Sequence, residues 1–179
     1  LTKVVGTTTA LMKLYEAGRI DLDAPLSRYL PDYAAGGKGA VTLRQLLAHT
    51  GGLRADGDFH QRGITTRKGL LAAIRKLSLV RKPGVEAEYS DLGMILLGLV
   101  VERVSGQSLG NYLRSEVFEP LGMTDTGFRT TGRRAFDATI APTEHDASFR
   151  RRTLQGEVHD EKAHILGGTA GHAGLFSTA

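Results

Sequence analysis

The stretch between Ser90 and Gly106 constrains the fold more than any other part of the chain. From Leu92 to Val101 every residue is apolar or glycine. Ser90 is suited to cap the start of a helix, and Gly106 is suited to end one. A helix that is apolar on all sides has to be buried. We therefore predict a helix from Asp91 to Val104, with the Met94–Val101 stripe in the core.

A membrane span is the other structure that such a stretch could form, and its length argues against it. A span needs about 18 consecutive apolar residues. The run from Met94 to Val101 is broken by Gly98 and is followed by Glu102 and Arg103. At 41% hydrophobic and 23% charged residues, the composition is that of a globular protein large enough to bury a core. We expect no membrane span in this segment.

Composition and charge exclude two further classes. The chain has no cysteine, which rules out disulfide frameworks and cysteine-based zinc sites. The net charge is +4, and the most basic stretches are Arg133–Arg134 and Arg150–Arg152. No aromatic residues alternate with these arginines as they would in a nucleic-acid-binding face. We expect solvated loop arginines and no nucleic-acid partner.

Helical spacing recurs throughout the first two thirds of the chain. The first helix has an apolar stripe and a terminating Gly18; Thr42 and Gln45 form a capping box for another. The stripe of the first helix consists of Leu1, Val4, Val5, Thr8, Leu11, Met12 and Tyr15. Further helices are predicted at Pro25–Tyr29, Arg67–Leu77 and Leu109–Phe118. We assign residues 1–122 to a helical lobe, and 123–179 to a loop-rich connection with one or two short strands.

Both ends of the sequence resemble the interior of a longer chain. Residue 1 is Leu and opens directly into a helical pattern, while Ser177-Thr178 near the other end resembles a helix start. The expectation is an internal segment truncated at both ends. No signal peptide is visible, so a targeting sequence would have to lie upstream.

Three short motifs carry the chemistry. They are Leu1-Thr2-Lys3 at the head of a helix, Tyr89-Ser90-Asp91 before the central helix, and the glycine-rich segment 171–179. Each is weak alone, because a single helical lysine is usually solvated and a single tyrosine is usually packed. Asp91 alone would be a first-turn acid favoured by the helix dipole. Their order along one chain is the stronger signal.

The ordered set resembles the serine beta-lactamase and penicillin-binding-protein superfamily. The resemblance is greatest to the class C branch with its related esterases, and to D-alanyl-D-alanine carboxypeptidases of the penicillin-binding protein 4B type. Leu1-Thr2-Lys3 is similar to the end of a Ser-x-x-Lys motif, and Tyr89-Ser90-Asp91 to Tyr-x-Asn. Segments 46–53, 158–161 and 171–177 resemble further stretches of that group.

This resemblance implies an α/β (α+β) fold of the beta-lactamase and DD-peptidase type, of which this chain is mainly the helical lobe. It implies a nucleophilic serine directly before Leu1 and a third motif beyond Ala179. Lys3 and Tyr89 would be catalytic, and Asp91 and His172 would bind substrate. No metal or cofactor is implied. A periplasmic or secreted location is suggested by the resemblance alone.

The chemistry of the residues agrees with this reading. A serine hydroxyl needs a base beside it, and a serine three positions before Lys3 would project from the same helix face. A lysine in a low-dielectric cleft gives up its proton more easily, and a tyrosine beside an ammonium can act as base or acid. Hydrolysis would pass through an acyl-enzyme, with the oxyanion held by backbone N–H groups.

Several alternatives stay open at this stage. The substrate could be a D-alanyl peptide, a beta-lactam or a small ester. A different class of function is a catalytically inactive relative that only binds such ligands; serine before Leu1 would favour the enzyme, and glycine or alanine the binder. His49 is expected to close a helix end. His159 and His164, with Asp160 and Glu161, fit no standard zinc spacing.

Overall fold

The computed structural model describes residues 1–129 and 140–178. At its centre lies helix α4, Asp91–Ser105. The Ser90 hydroxyl accepts a hydrogen bond from the Gly93 N–H at 3.2 Å, and Gly106 closes the helix with φ 75°. Nine residues of α4 are buried, so the predicted core helix is confirmed with its end moved by one residue.

The remaining helices surround α4. Helix α1, Thr9–Glu16, is preceded by a π-helical segment, Thr2–Thr8. The other α-helices among the described residues are α2 (Leu43–Leu47), α3 (Arg67–Lys76), α5 (Leu109–Leu113) and α6 (Glu161–Ile165). Short 3-10 turns occupy Leu26–Arg28, Pro31–Tyr33 and Ala35–Ala40, and a π-helical segment, Arg114–Phe118, continues α5.

Local capping signals were read correctly from the sequence. Thr42 and Gln45 form the predicted capping box of α2, and Ser108 caps α5. Thr66, which was not predicted as a cap, caps α3. These motifs need only neighbouring residues to form, which is why sequence alone locates them. Helix α6, by contrast, was not predicted. Asp160 caps it by accepting from the Ala163 N–H at 2.8 Å.

The strands found among residues 1–129 and 140–178 are short and form two antiparallel pairs. Strand β1 (Gly127–Phe128) pairs with β4 (Leu175–Phe176), and β2 (Glu144–Asp146) pairs with β3 (Arg152–Leu154). The first pair joins the two ends of the segment that was expected to be loop-rich. The described part of that segment contains four short strands and α6, where one or two strands were expected. The division of the chain at residue 122 remains a prediction.

The predicted apolar stripe of the first helix is wrong as a buried face. Leu1, Val4, Met12 and Tyr15 are all more than half exposed. The residues that face the core are Thr2, Gly6, Thr7, Ala10, Leu11 and Leu14. Small side chains are favoured on the buried face at the start of this helix because the backbone of the glycine-rich segment lies against it. The Thr7 hydroxyl donates a hydrogen bond to the Gly171 carbonyl oxygen at 2.7 Å.

The apolar faces of the central helix are covered by the described residues. Leu92, Ile95 and Leu96 are at most 2% exposed, and Leu99 is half-buried. The helices of the described chain cover them without a further sheet. Of the large apolar side chains that are exposed, half lie in residues 1–16 and half lie elsewhere: they are Leu1, Val4, Met12 and Tyr15, and Val80, Val85, Tyr89 and Leu121.

Two glycines explain how closely the glycine-rich segment can approach α4. A Cβ on Gly171 would lie 2.0 Å from the Met94 carbonyl oxygen, and one on Gly98 would lie 3.1 Å from Gly171. No side chain fits at either contact without movement of the backbone. Gly98, which interrupts the apolar run in the sequence, is therefore the place where the two backbones meet.

The arginines of the two basic stretches were expected to be solvated. Arg150 is not a solvated loop arginine, because only 7% of its side chain is exposed and it pairs with Asp146 at 2.7 Å. Arg133 and Arg134 lie outside the described residues.

Among the residues described, no single helix has the length and apolarity to cross a membrane. The pair formed by α4 and the following Leu109–Phe118 helix reaches that length and apolarity together, but the pair is bent by 73°.

Candidate active site

Lys3 lies at the centre of the candidate site. Its Nζ is 2.9 Å from the Asp91 Oδ1 and 3.0 Å from the His172 carbonyl oxygen. It also lies 4.8 Å from the centroid of the Tyr89 ring. The four residues singled out in the sequence therefore meet around one ammonium group, although they come from three distant parts of the chain.

Tyr89 is held by the turn that precedes α4. The His49 imidazole lies against its ring at a centroid distance of 4.7 Å. The same imidazole accepts a hydrogen bond at Nδ1 from the Ser90 N–H at 3.1 Å, and the His49 carbonyl accepts one from Glu88 at 2.9 Å. Tyr89 is 59% exposed, so its ring stands at the surface beside Lys3.

His49 has the structural position that the sequence predicts. It follows α2 in a left-handed conformation with φ 57° and joins this turn to the start of α4. Burial, and after it the charge of Lys3, lowers the pKa of His49. The imidazole is therefore neutral near pH 7 and can keep Nδ1 as an acceptor. The imidazole packs against the Tyr89 ring and so helps to hold it in place.

Two opposing effects set the protonation of Lys3: burial and the side chains around its ammonium group. Burial by itself would lower the pKa of Lys3, as predicted. The side chains of Tyr89 and Asp91 outweigh burial, so the pKa is raised from its ordinary value of 10.5. In this arrangement Lys3 is an ammonium, because a carboxylate at 2.9 Å stabilises the charged form.

A second lysine, which the sequence did not reveal, reaches the same carboxylate. The Lys162 Nζ lies 3.5 Å from the Asp91 Oδ2 and 3.0 Å from both Asp160 and Asp56. Burial opposes its charge, yet Asp160 and Asp56 raise the pKa of Lys162 well above its usual range. Only 6% of its side chain is exposed. The one available signal was Asp160 as a helix cap, which would have placed Lys162 in the first turn of α6.

His172 takes part through its backbone and not as predicted. Its imidazole is 1% exposed and its Nε2 lies 2.8 Å from the Asp160 Oδ1, so the ring does not line an open cleft. Burial would raise the pKa of Asp160, but the bond with His172 and the charge of Lys162 lower it well below its usual range. The imidazole thus fixes Asp160, while the carbonyl oxygen of His172 receives Lys3.

The acidic groups here could in principle hold a cation. One ligand atom each from Asp91, Asp160 and His172 lie within 4.8 Å of one another. The two ammonium groups of Lys3 and Lys162 already bind these carboxylates, so their positive charge opposes a metal ion at the same place. The cluster is therefore an ion-pair network.

A separate cavity of about 650 Å³ opens beside Leu1. It runs between β4 and the Glu157–His159 segment. Lys3, Tyr89 and Asp91 do not line it.

A family model described as Beta-lactamase matches residues 1–179. The chain belongs to the beta-lactamase family. Its fold is that of the beta-lactamases and penicillin-binding proteins, as the resemblance in the sequence implied.

Known relatives share this assignment. A protein of Escherichia coli K12 named "Putative D-alanyl-D-alanine carboxypeptidase" is 36% identical over 199 aligned residues, covering 98% of this chain and 46% of the relative. The octameric penicillin-binding protein homologue from Pyrococcus abyssi is 27% identical with a TM-score of 0.75, covering 99% of this chain and 40% of that one. The penicillin-binding protein from Bacillus halodurans is 26% identical with a TM-score of 0.72, and the match covers 99% of this chain and 54% of that one. The chain thus spans about half the length of these relatives.

Proposed function

We propose that this beta-lactamase family chain carries part of the active site of a serine hydrolase that works through an acyl-enzyme. The observation that supports this most is the convergence of Lys3, Tyr89 and Asp91 at the head of the first helix, in a family with that chemistry. The nucleophile in this proposal is a serine directly before Leu1 in the parent protein. Lys3 and Tyr89 are then catalytic.

The geometry favours Tyr89 over Lys3 as the proton carrier. Lys3 is held as an ammonium by Asp91, and its charge lies 4.8 Å from the Tyr89 ring centroid. Tyr89 would accept the serine proton as the hydroxyl attacks the carbonyl, and would pass it to the leaving group as the acyl-enzyme forms. Water would then release the acyl group.

We propose a D-alanyl peptide or a small ester as the substrate, with weak or absent turnover of beta-lactams. Asp91 stands where the family motif has asparagine, and an ionised carboxylate offers acceptors but no N–H donor to a substrate carbonyl. In this proposal Asp91 faces the bound substrate while it also holds Lys3. The carboxypeptidase name of the Escherichia coli relative is consistent with the peptide.

Covalent labelling of the full-length parent protein tests the assignment. Exposure to a fluorophosphonate should add one adduct, and peptide mapping should place it on the serine before Leu1. Lys3→Met should label at least about 10²-fold more slowly, since it removes the charge that activates Tyr89. Lys13→Met is the matched control, because Lys13 is an exposed lysine on the same helix and should label at the wild-type rate.

Two results would contradict the proposal. An adduct on a different residue would move the nucleophile elsewhere. No adduct, together with binding of a D-alanyl peptide, would favour the inactive ligand-binding module instead.

A further inference from the structure

Lys162 is a buried lysine whose position ties it to the site. Its Nζ has three carboxylates around it, of Asp56, Asp160 and Asp91. One of these, Asp160, is also held by groups other than Lys162. Asp160 is fixed by the His172 Nε2 and by the Ala163 N–H, each at 2.8 Å, so that Lys162 is aimed toward Asp91 by the start of α6.

Asp91 is therefore shared by two ammonium groups. Its Oδ1 lies 2.9 Å from Lys3 and its Oδ2 lies 3.5 Å from Lys162. With only Lys3 as a partner, the carboxylate would cancel the positive charge that Lys3 presents to Tyr89. A second ammonium on the other oxygen weakens that cancellation, because opposite charges at such distances in a partly buried site interact strongly.

We propose that Lys162 is a positioning residue of the active site: held by Asp160 and Asp56, it shares the Asp91 carboxylate with Lys3 and so preserves the charge that Lys3 directs at Tyr89. This inference rests on the proposed function, since it assigns Tyr89 a proton to carry. It also explains how this chain carries aspartate at a position where the family motif has a neutral asparagine.

Other ionisable groups around Lys3 do not duplicate this role. His49, from the turn after α2, is neutral near pH 7 because burial and Lys3 lower its pKa. His172, from the glycine-rich segment, contributes its carbonyl oxygen to Lys3 and its imidazole to Asp160. Asp56, from the loop before α3, contacts Lys162 and is exposed over 55% of its side chain. Lys162 is thus the group that brings positive charge to the far oxygen of Asp91.

The test is the pH dependence of Tyr89 ionisation in the full-length protein. The ultraviolet signal of phenolate that disappears in Tyr89→Phe reports on this one ring. In Lys162→Met this signal should appear at higher pH than in wild type, by about half a pH unit or more. The acid limb of the pH profile of acylation by a small ester should move with it. Lys162→Arg should restore both, because it keeps the charge.

A structural role for Lys162 predicts something else. It would lower the rate by the same factor at every pH and leave the phenolate signal in place; that result, in a variant that remains folded, would overturn the proposal. Lys68→Met, which removes an exposed lysine, controls for the change in net charge and should shift neither curve.

A second variant covers the case in which Lys162→Met does not fold. Asp56→Asn changes a largely exposed side chain and leaves Lys162 more closely bound to Asp91 and Asp160. The phenolate signal should then move to lower pH, and no movement would count against the proposal. If the phenolate signal shifts as expected but the pH profile of acylation does not, the role of Lys162 in the charge network is supported. Tyr89 is then not the proton carrier, and the proposed mechanism is rejected independently of the role of Lys162.

Discussion

Two buried lysines, Lys162 and Lys38, show opposite ways of keeping an ammonium group inside this molecule. Lys162 is surrounded by three carboxylates. Two of them, Asp160 and Asp56, raise its pKa against the effect of burial. Lys38 is 1% exposed and donates to the carbonyl oxygens of Ala35, Arg75 and Leu77. Burial lowers the pKa of Lys38.

The difference separates the region of the proposed active site from a structural one. Carbonyl partners satisfy hydrogen bonds without balancing charge, so Lys38 joins the Ala35–Ala40 turn to the end of α3. The carboxylates of the other region balance two lysines and leave one of them, Lys3, beside an exposed tyrosine. A change in the first region should therefore affect stability, and a change in the second should affect catalysis.

The largest expected effect is that of Tyr89→Phe on catalysis. The change removes the hydroxyl and keeps the ring that packs on His49. In the full-length protein, kcat/KM for a small ester should fall by at least about 10²-fold, which is typical of lost acid–base catalysis. The thermal midpoint should stay close to wild type, because Tyr89 is largely exposed.

A small change in kcat/KM together with a lower thermal midpoint would give Tyr89 a structural role and not a catalytic one. Modest kinetics with a clear loss of stability is expected where a buried hydroxyl leaves its partner unpaired. Activity within a few-fold of wild type would show that Tyr89 is not the proton carrier.

Lys38→Met should have the second largest effect, and it should be an effect on stability. Removing the ammonium leaves three carbonyl groups without their donor, at a cost of about 2 kcal/mol or more in the free energy of unfolding. Chemical denaturation measures this cost. Lys76→Met, an exposed lysine at the end of α3, is the control. Acylation per folded molecule should be unchanged, and a specific loss of it would break the separation of the two regions.

The same variant has a pH signature. The folded state holds the Lys38 proton less tightly than the unfolded chain does, since its pKa is lowered from 10.5. The unfolded state thus binds more protons between the two pKa values, and stability rises with pH there. The stability of wild type relative to Lys38→Met should increase as the pH rises toward 10.5. A decrease would show that Lys38 has no such depressed pKa.

Asp91→Asn should give the smallest change. It restores an N–H donor toward the substrate and removes the charge shared by Lys3 and Lys162. Acylation by a penicillin relative to a small ester should rise by about 2- to 10-fold, which corresponds to one neutral hydrogen bond. Parallel acylation rates for the two substrates measure this ratio. Turnover of cephalosporins by the unchanged protein at ordinary enzymatic rates would refute the role given to Asp91.

Much of the fold was accessible from the sequence, because the signals were local. The apolar run and the caps Ser90, Thr42 and Ser108 act within a turn or two of helix, and their helices lie where predicted. The motif residues Lys3, Tyr89 and Asp91 were found by their order along the chain. The buried face of the first helix was misjudged because hydrophobicity does not reveal where a neighbouring backbone approaches.

The sequence by itself determined the family, the central helix and three of the side chains at the site. Only the tertiary structure decided that Lys162, 71 residues beyond Asp91, shares its carboxylate, and that His172 contributes a carbonyl oxygen while its ring turns inward to Asp160. It also decided the charge of Lys3. The physical reason is that protonation depends on the sum of burial and nearby charges, and those charges meet only when α6 and the glycine-rich segment fold against α4.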